Sequence, residues 1–132
     1  MCKNTTNNSV ERQKTLFSLP EPVLGKKIKV DFNAPDMSSN GGLLLARFSK
    51  DTLPSKMGRL IPDDRTQCLV RHSYAEMVCQ RVNQILCGYE DANDCGRLRG
   101  DSALKMSVGR RPSDGALCSQ ATMTRLKNNV DS

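Results

Sequence analysis

The chain has 132 residues, room for one domain that hides on the order of two thirds of its unfolded surface, so one modest core is the ceiling. Two Tyr, three Phe and no Trp leave that core to Leu, Val, Ile, Met and Cys, which disfavours an aromatic-rich β-sandwich and suits packed helices. The net charge of +6 favours either polyanionic partners or plain solubility.

No apolar run is long enough for a signal peptide or a membrane span, so the expectation is a cytoplasmic protein with reduced thiols and no membrane partner. Cysteines stand at 2, 68, 79, 87, 95 and 118, and the only histidine is His72. No two cysteines have the short separation that lets one loop present a pair of zinc ligands, so no metal site is assigned. Cys79 and Cys87 read as small apolar side chains.

Residues 1–27, rich in Asn, Thr, Lys and Pro, show no period and are expected to form a disordered arm. In "KKIKVDFN", Ile28, Val30 and Phe32 alternate, the pattern of a short strand near residues 28–33 with no obvious partner nearby. "DMSSNGGLLLARFSKDTL" supplies capping Ser and Asn before a leucine run and predicts a helix ending near Lys50. "PSKMGRLIPDDRTQ", with two prolines and paired acids, predicts a loop.

The strongest periodicity follows. In "RHSYAEMVCQRVNQILCGYE" apolar residues at 75, 78, 82, 85 and 89, widened by Cys79 and Leu86, predict an amphipathic helix. Gly88 near its end leaves Tyr89 open to packing in the next turn.

The acidic stretch "GYEDANDCGRLRGDS" invites comparison with a calcium loop. Asp91, Asn93 and Gly96 match its first, third and sixth positions, but Cys95 and Ser102 stand at the fifth and the twelfth, where a bidentate Glu belongs. The neighbouring Arg97 and Arg99 suggest ion pairing rather than catalysis, and no catalytic residue is assigned. Asp91 or Asn93 is expected to cap a short helix. Asp101 is expected to cap the next, "SALKMSVG", which ends at Gly109.

"RRPSDGALC" reads as a basic loop and "SQATMTRLKNNV" as a last helix capped by Ser119. Met123, Leu126 and Val130 share its apolar face; Gln120, Thr124 and Lys127 lie opposite, with Arg125 to one side. Between Arg97 and Lys127, seven cationic residues stand against Asp101 and Asp114. Arg110 and Arg111 are therefore candidate phosphate contacts, and Gln120, Thr124, Arg125 and Lys127 candidate base contacts on double-stranded DNA. The blander alternative is a solvated polar face on a core helix. The connection from Gly109 to Ser119 is too long for a simple helix-turn-helix, which disfavours an independent transcriptional regulator.

The blocks "VDFNAPDMSSNGGLLLAR", "VRHSYAEMVCQRVNQILCGYEDANDCGRLRGDSALKMSVGR" and "LCSQATMTRLKN", in this order, resemble the N-terminal region of insertion sequence 1380 family transposases, members of the DDE group. The resemblance covers roughly residues 28–129. Departures include Ser102, Cys95, Cys118 and Lys127, the last at a place commonly acidic.

The resemblance implies a mainly α, helical N-terminal region at 28–132 that helps recognise the element's terminal inverted repeats, followed by an RNase H-like domain. In that domain three carboxylates hold two magnesium ions for strand cleavage and joining. With the chain stopping at Ser132, the expectation is a truncated transposase: not an enzyme, lacking the catalytic carboxylates, with magnesium belonging only to the absent domain. The strand near 28–33 would then pair with that domain. The alternative is a non-functional remnant or an interaction segment that packs on a full-length transposase.

Overall fold

The computed structural model describes residues 17–18, 25, 29–30, 38–43 and 53–130. Strands β1 (Phe17–Ser18) and β2 (Lys29–Val30) pair antiparallel, Phe17 opposite Val30. The helices are α1 (Leu53–Leu60), α2 (Tyr74–Leu86), α3 (Asp94–Leu98), α4 (Ser102–Ser107) and α5 (Gln120–Val130). The mainly helical class expected from composition is what forms. The strand expected near 28–33 finds its partner within the chain, at Phe17–Ser18, rather than in another domain. The rest of the arm expected at 1–27, Gly25 aside, lies outside the described residues, as does most of the helix expected to end near Lys50. Its described beginning is a single 3-10 turn at 41–43.

The segment read as a loop is helical at α1, and two features explain the difference. Pro54 is the second residue of this helix, where a missing N–H costs nothing because first-turn donors have no partner inside the helix. Gly58 is buried because α1 crosses α2 almost backbone to backbone: a Cβ there would lie 2.5 Å from Ala75 Cα and 2.8 Å from the Tyr74 carbonyl oxygen. Glycine weakens an isolated helix but is what this close approach requires.

α2 forms where periodicity places it. The Ser73 hydroxyl accepts the Glu76 N–H at its start, an N-cap bond that satisfies one of the helix's first free donors. At its end Gly88 adopts φ +89°, the Gly88 N–H donates to Ile85 and the Tyr89 N–H to Gln84 (2.9 Å each), the paired bonds of a Schellman stop. α4 ends the same way at Gly109, φ +88°, with Gly109 donating to Met106 and Arg110 to Lys105.

The buried face of α2 differs from the expected one. Tyr74, Met77, Gln80 and Gln84 are buried, whereas Ile85 and Leu86 are exposed. The reason is polar. Gln80 Nε2 donates to the Cys118 carbonyl (3.2 Å) and its Oε1 accepts the Cys118 N–H (3.1 Å), so its amide serves as a backbone partner inside the core. Gln84 Oε1 accepts the Cys95 thiol at 3.0 Å. Hydrophobic periodicity is blind to a buried amide that has found its partners.

Two apolar clusters result. One gathers Tyr74 and Met77 of α2, Cys95 of α3, Cys118, and Met123 and Leu126 of α5. The other gathers Leu43, Leu98, Leu104 and Leu117, with Tyr89 and Val108 against it. Asp101 fastens the second: one carboxylate oxygen accepts the Leu104 N–H to cap α4, the other accepts the Ser38 hydroxyl and the Asn40 amide. Val130, expected on the apolar face of α5, is exposed.

Among the described cysteines, Cys95 and Cys118 are the buried ones. Burial pushes the Cys118 thiol up to about 12 and raises Cys95. A raised folded value contributes stability that is complete below the unfolded thiol value and fades as pH climbs toward 12.

In peptide-mapped alkylation of the native chain Cys68 is expected to react readily, while Cys95 and Cys118 react only after denaturant. Urea melts are expected to show Gln80→Met losing about 2–4 kcal/mol, because two buried backbone groups lose their partner. Gln84→Met stays within about 1 kcal/mol of the parent, since Gln84 Nε2 has no partner among the described residues. The Gly58→Ala chain loses about 1 kcal/mol or more through overpacking, while Gly96→Ala, with open space around it, gains up to about 1 kcal/mol.

Candidate nucleic-acid interface

α5 is positioned by what precedes it. The Leu117 N–H donates to the Arg99 carbonyl (2.8 Å), and Gln80 clamps Cys118 on both sides. The Ser119 hydroxyl then stands at the start of α5, 3.1 Å from the Thr122 hydroxyl and 3.4 Å from the Thr122 N–H. With Met123 and Leu126 buried beneath it, the helix turns Gln120, Thr124, Arg125 and Lys127 to solvent. Two of the four have local partners. Gln120 Nε2 donates to Asn93 Oδ1, and the Thr124 hydroxyl bonds back to the Gln120 carbonyl at 3.1 Å.

The two candidates in the preceding loop part company. Arg111 is exposed, and its backbone N–H is held by Asp114 Oδ2 at 2.8 Å. Arg110 is drawn inward: Nε lies 2.8 Å from Glu76 Oε1 and NH2 lies 2.9 Å from Oε2, a bidentate pair. The same NH2 donates to the Arg71 carbonyl and lies 3.2 Å from His72 Nδ1. That nitrogen is also 3.1 Å from Glu76 Oε1, so it either donates to the carboxylate or accepts from the guanidinium. Arg110 thereby joins the loop to α2 and has little left for an external anion.

Lys105 is likewise internal. Its Nζ donates to the carbonyls of Pro112 (3.0 Å) and Asp114 (2.9 Å), and the residue is buried. The acidic stretch bonds locally, but the expected capping is not seen at the start of α3: Asn93, its N-cap residue, makes no side-chain cap bond. Asp91 accepts the Asn93 N–H (2.9 Å) and the Asn93 side-chain amide (2.7 Å), bonds that hold its carboxyl below the usual carboxylate range. Asp94 pairs with Arg97 at 3.2 Å. The Arg81 guanidinium gathers the carbonyls of Tyr89, Glu90 and Asp91. Among the described residues no three His, Cys, Asp or Glu side chains lie close enough together to hold a metal ion.

Three arginines outside the expected contact set meet on one side of the α5 start. Arg65, Arg71 and Arg99, with Thr66, Leu69, Val70, His72, Ser119 and Thr122, line a cleft of about 530 Å³. Arg65 is fixed: it grips Asp63 through Nε (2.6 Å) and NH2 (2.7 Å), and its guanidinium lies 3.9 Å over the Tyr74 ring. The Arg65 side-chain bonds hold the Asp63 carboxyl down at about 2. Arg71 and Arg99 are exposed. Arg65 and Arg71 share the connection between α1 and α2, and only the packing of the helices brings Arg99, from the connection between α3 and α4, beside them.

Residues 20–132 match a family model described as transposase DDE domain group 1. No curated protein and no solved structure matches the chain significantly. The family match overturns the expectation of a chain that is not an enzyme: a DDE domain is a catalytic nuclease domain. That expectation rested on the chain stopping at Ser132 and on an acidic stretch with no catalytic arrangement. A two-metal centre instead collects its carboxylates from segments far apart in sequence, so no single stretch decides whether the site exists.

The Asp63 value gives a signed prediction. A folded value below the unfolded one contributes stability that is present above the unfolded carboxyl value, about 3.9, and is lost as pH falls through about 2. Denaturation midpoints followed from pH 5 downward are expected to fall less steeply in Asp63→Asn than in the parent over that window.

Proposed function

The chain belongs to the transposase DDE domain group 1 family, and we propose that the described region binds DNA during transposition of an insertion sequence, at the terminal inverted repeats. The finer affiliation we propose is the insertion sequence 1380 family. One observation carries the reading: α5 is held rigidly from beneath by Met123, Leu126 and the Gln80 clamp while its outer face presents Gln120, Thr124, Arg125 and Lys127. Gln and Arg are side chains that bond base edges bidentately in the major groove. Arg111, at the loop that leads into this helix, suits a backbone phosphate. Arg110 is assigned a positioning role, because its charge is already matched by Glu76.

A second reading is supported by a different surface. Leu53, Met57 and Leu60 are exposed along α1, Leu60 at 82%, and an apolar stripe of this kind suits packing against another transposase chain. Sedimentation of the parent and of Leu53→Ser/Leu60→Ser across concentration tests it; a parent that stays monomeric throughout removes this reading.

The DNA reading is tested by fluorescence anisotropy with a duplex of the element's end and a scrambled duplex. Tighter binding to the end is expected, and Arg125→Ala/Lys127→Ala lowers the salt-dependence slope by about one to two units. Gln120→Ala narrows the gap between the two duplexes. Equal affinity for both sinks base reading, and no affinity for either sinks DNA binding. Arg110→Ala is expected to lower the melting temperature with little change in the salt slope.

A further inference from the structure

We propose that the cleft between Arg71, Arg99 and the start of α5 seats a phosphodiester of the DNA backbone, which fixes where α5 lies along the duplex. This rests on the DNA-binding reading above and adds a site outside the outer face of α5. Arg65, Arg71 and Arg99 line the cleft and no carboxylate side chain does. Arg65 has its charge matched by Asp63 and acts as a rigid wall. For Arg71 and Arg99, the described residues offer no carboxylate partner.

Their backbones are nevertheless held. The Arg71 carbonyl accepts from Arg110 at 3.2 Å, and the Arg99 carbonyl accepts the Leu117 N–H at 2.8 Å. Two anchored main-chain positions keep both guanidiniums within reach of one cleft, so an anion that arrives there has only side-chain torsions left to order. The planar guanidinium fork matches a phosphate's oxygens. The hydroxyls of Ser119 and Thr122 on the same wall bond each other, which leaves one O–H between them to donate.

The apolar side of the cleft favours a nucleic-acid phosphate over a free one. Leu69 and Val70 form part of the lining, and Leu69 is 79% exposed. An exposed leucine beside a phosphate seat has a natural partner in the deoxyribose attached to that phosphate, whereas inorganic phosphate offers nothing apolar. A contact to sugar and phosphate reads no sequence, which separates this site from the α5 face.

The experiment uses the full chain and the two duplexes, with Arg71→Gln/Arg99→Gln and the charge-keeping Arg71→Lys/Arg99→Lys. The Gln pair is expected to lower the salt-dependence slope by about one unit, as for one phosphate contact, and to weaken both duplexes alike. The Lys pair keeps most of the slope, and thermal melts of all three chains coincide. If the parent binds the duplexes and the Gln pair retains the parent's slope, the phosphate seat is wrong and the DNA reading stands. If the parent binds neither duplex, both fall. A loss confined to the element's end assigns these arginines to base reading and overturns the seat. Saturable binding of inorganic phosphate that the Gln pair abolishes, with the duplex slope unchanged, identifies a free-phosphate site and also overturns it.

Discussion

The described helices depend on one buried amide. Gln80, midway along α2, bonds both main-chain polar groups of Cys118. Cys118 belongs to the irregular segment that enters α5, and an irregular segment passing through a core carries N–H and C=O groups that water cannot reach. Left unpaired, each costs about 1–3 kcal/mol. Gln80 satisfies both at once and fixes the distance between α2 and the root of α5. Met123 and Leu126 can then fill the space over Tyr74 and Met77, which sets the face of α5 turned to solvent. Gln80 thus fixes where α5 begins, and α5's own Met123 and Leu126 decide that Gln120, Thr124, Arg125 and Lys127 face outward.

The cations divide into two populations by the same logic. Arg81, Lys105 and Arg110 are structural: the first two direct their donors to carbonyls of tight turns, the third to Glu76 and the Arg71 carbonyl. Partly or fully buried cations of this kind are tolerable because each meets several acceptors. Arg71, Arg99, Arg111, Arg125 and Lys127 remain at the surface, available for interactions that weaken with salt. Net charge therefore overstates what the chain offers an external anion. Position in the hydrogen-bond network, not residue type, separates the two populations.

Much of the local structure was legible in the sequence because it is written in contiguous residues. Asp101 with Leu104, and glycines 88 and 109 in the left-handed region, start and stop helices through bonds spanning three to five residues. The ordinary nature of the acidic stretch was legible for the same reason, since the lack of a Glu at the twelfth loop position is a local fact. The helical α1 was missed because two prolines and paired acids read as a loop until the crossing of Gly58 with Ala75 is known. The expected buried face of α2 was misjudged because glutamine counts as polar until its partner Cys118 is known.

By itself, then, the sequence determined the helical class, the stops of α2 and α4, the caps of α4 and α5, the polar face of α5 and the resemblance to transposases, all properties of short-range order. Only tertiary structure decided that Gln80 belongs in the core, that Arg110 faces Glu76 and not solvent, and that Arg71 and Arg99 share a cleft. These depend on which distant segments meet, and that is fixed by the joint requirement to bury apolar surface while pairing nearly all buried polar groups.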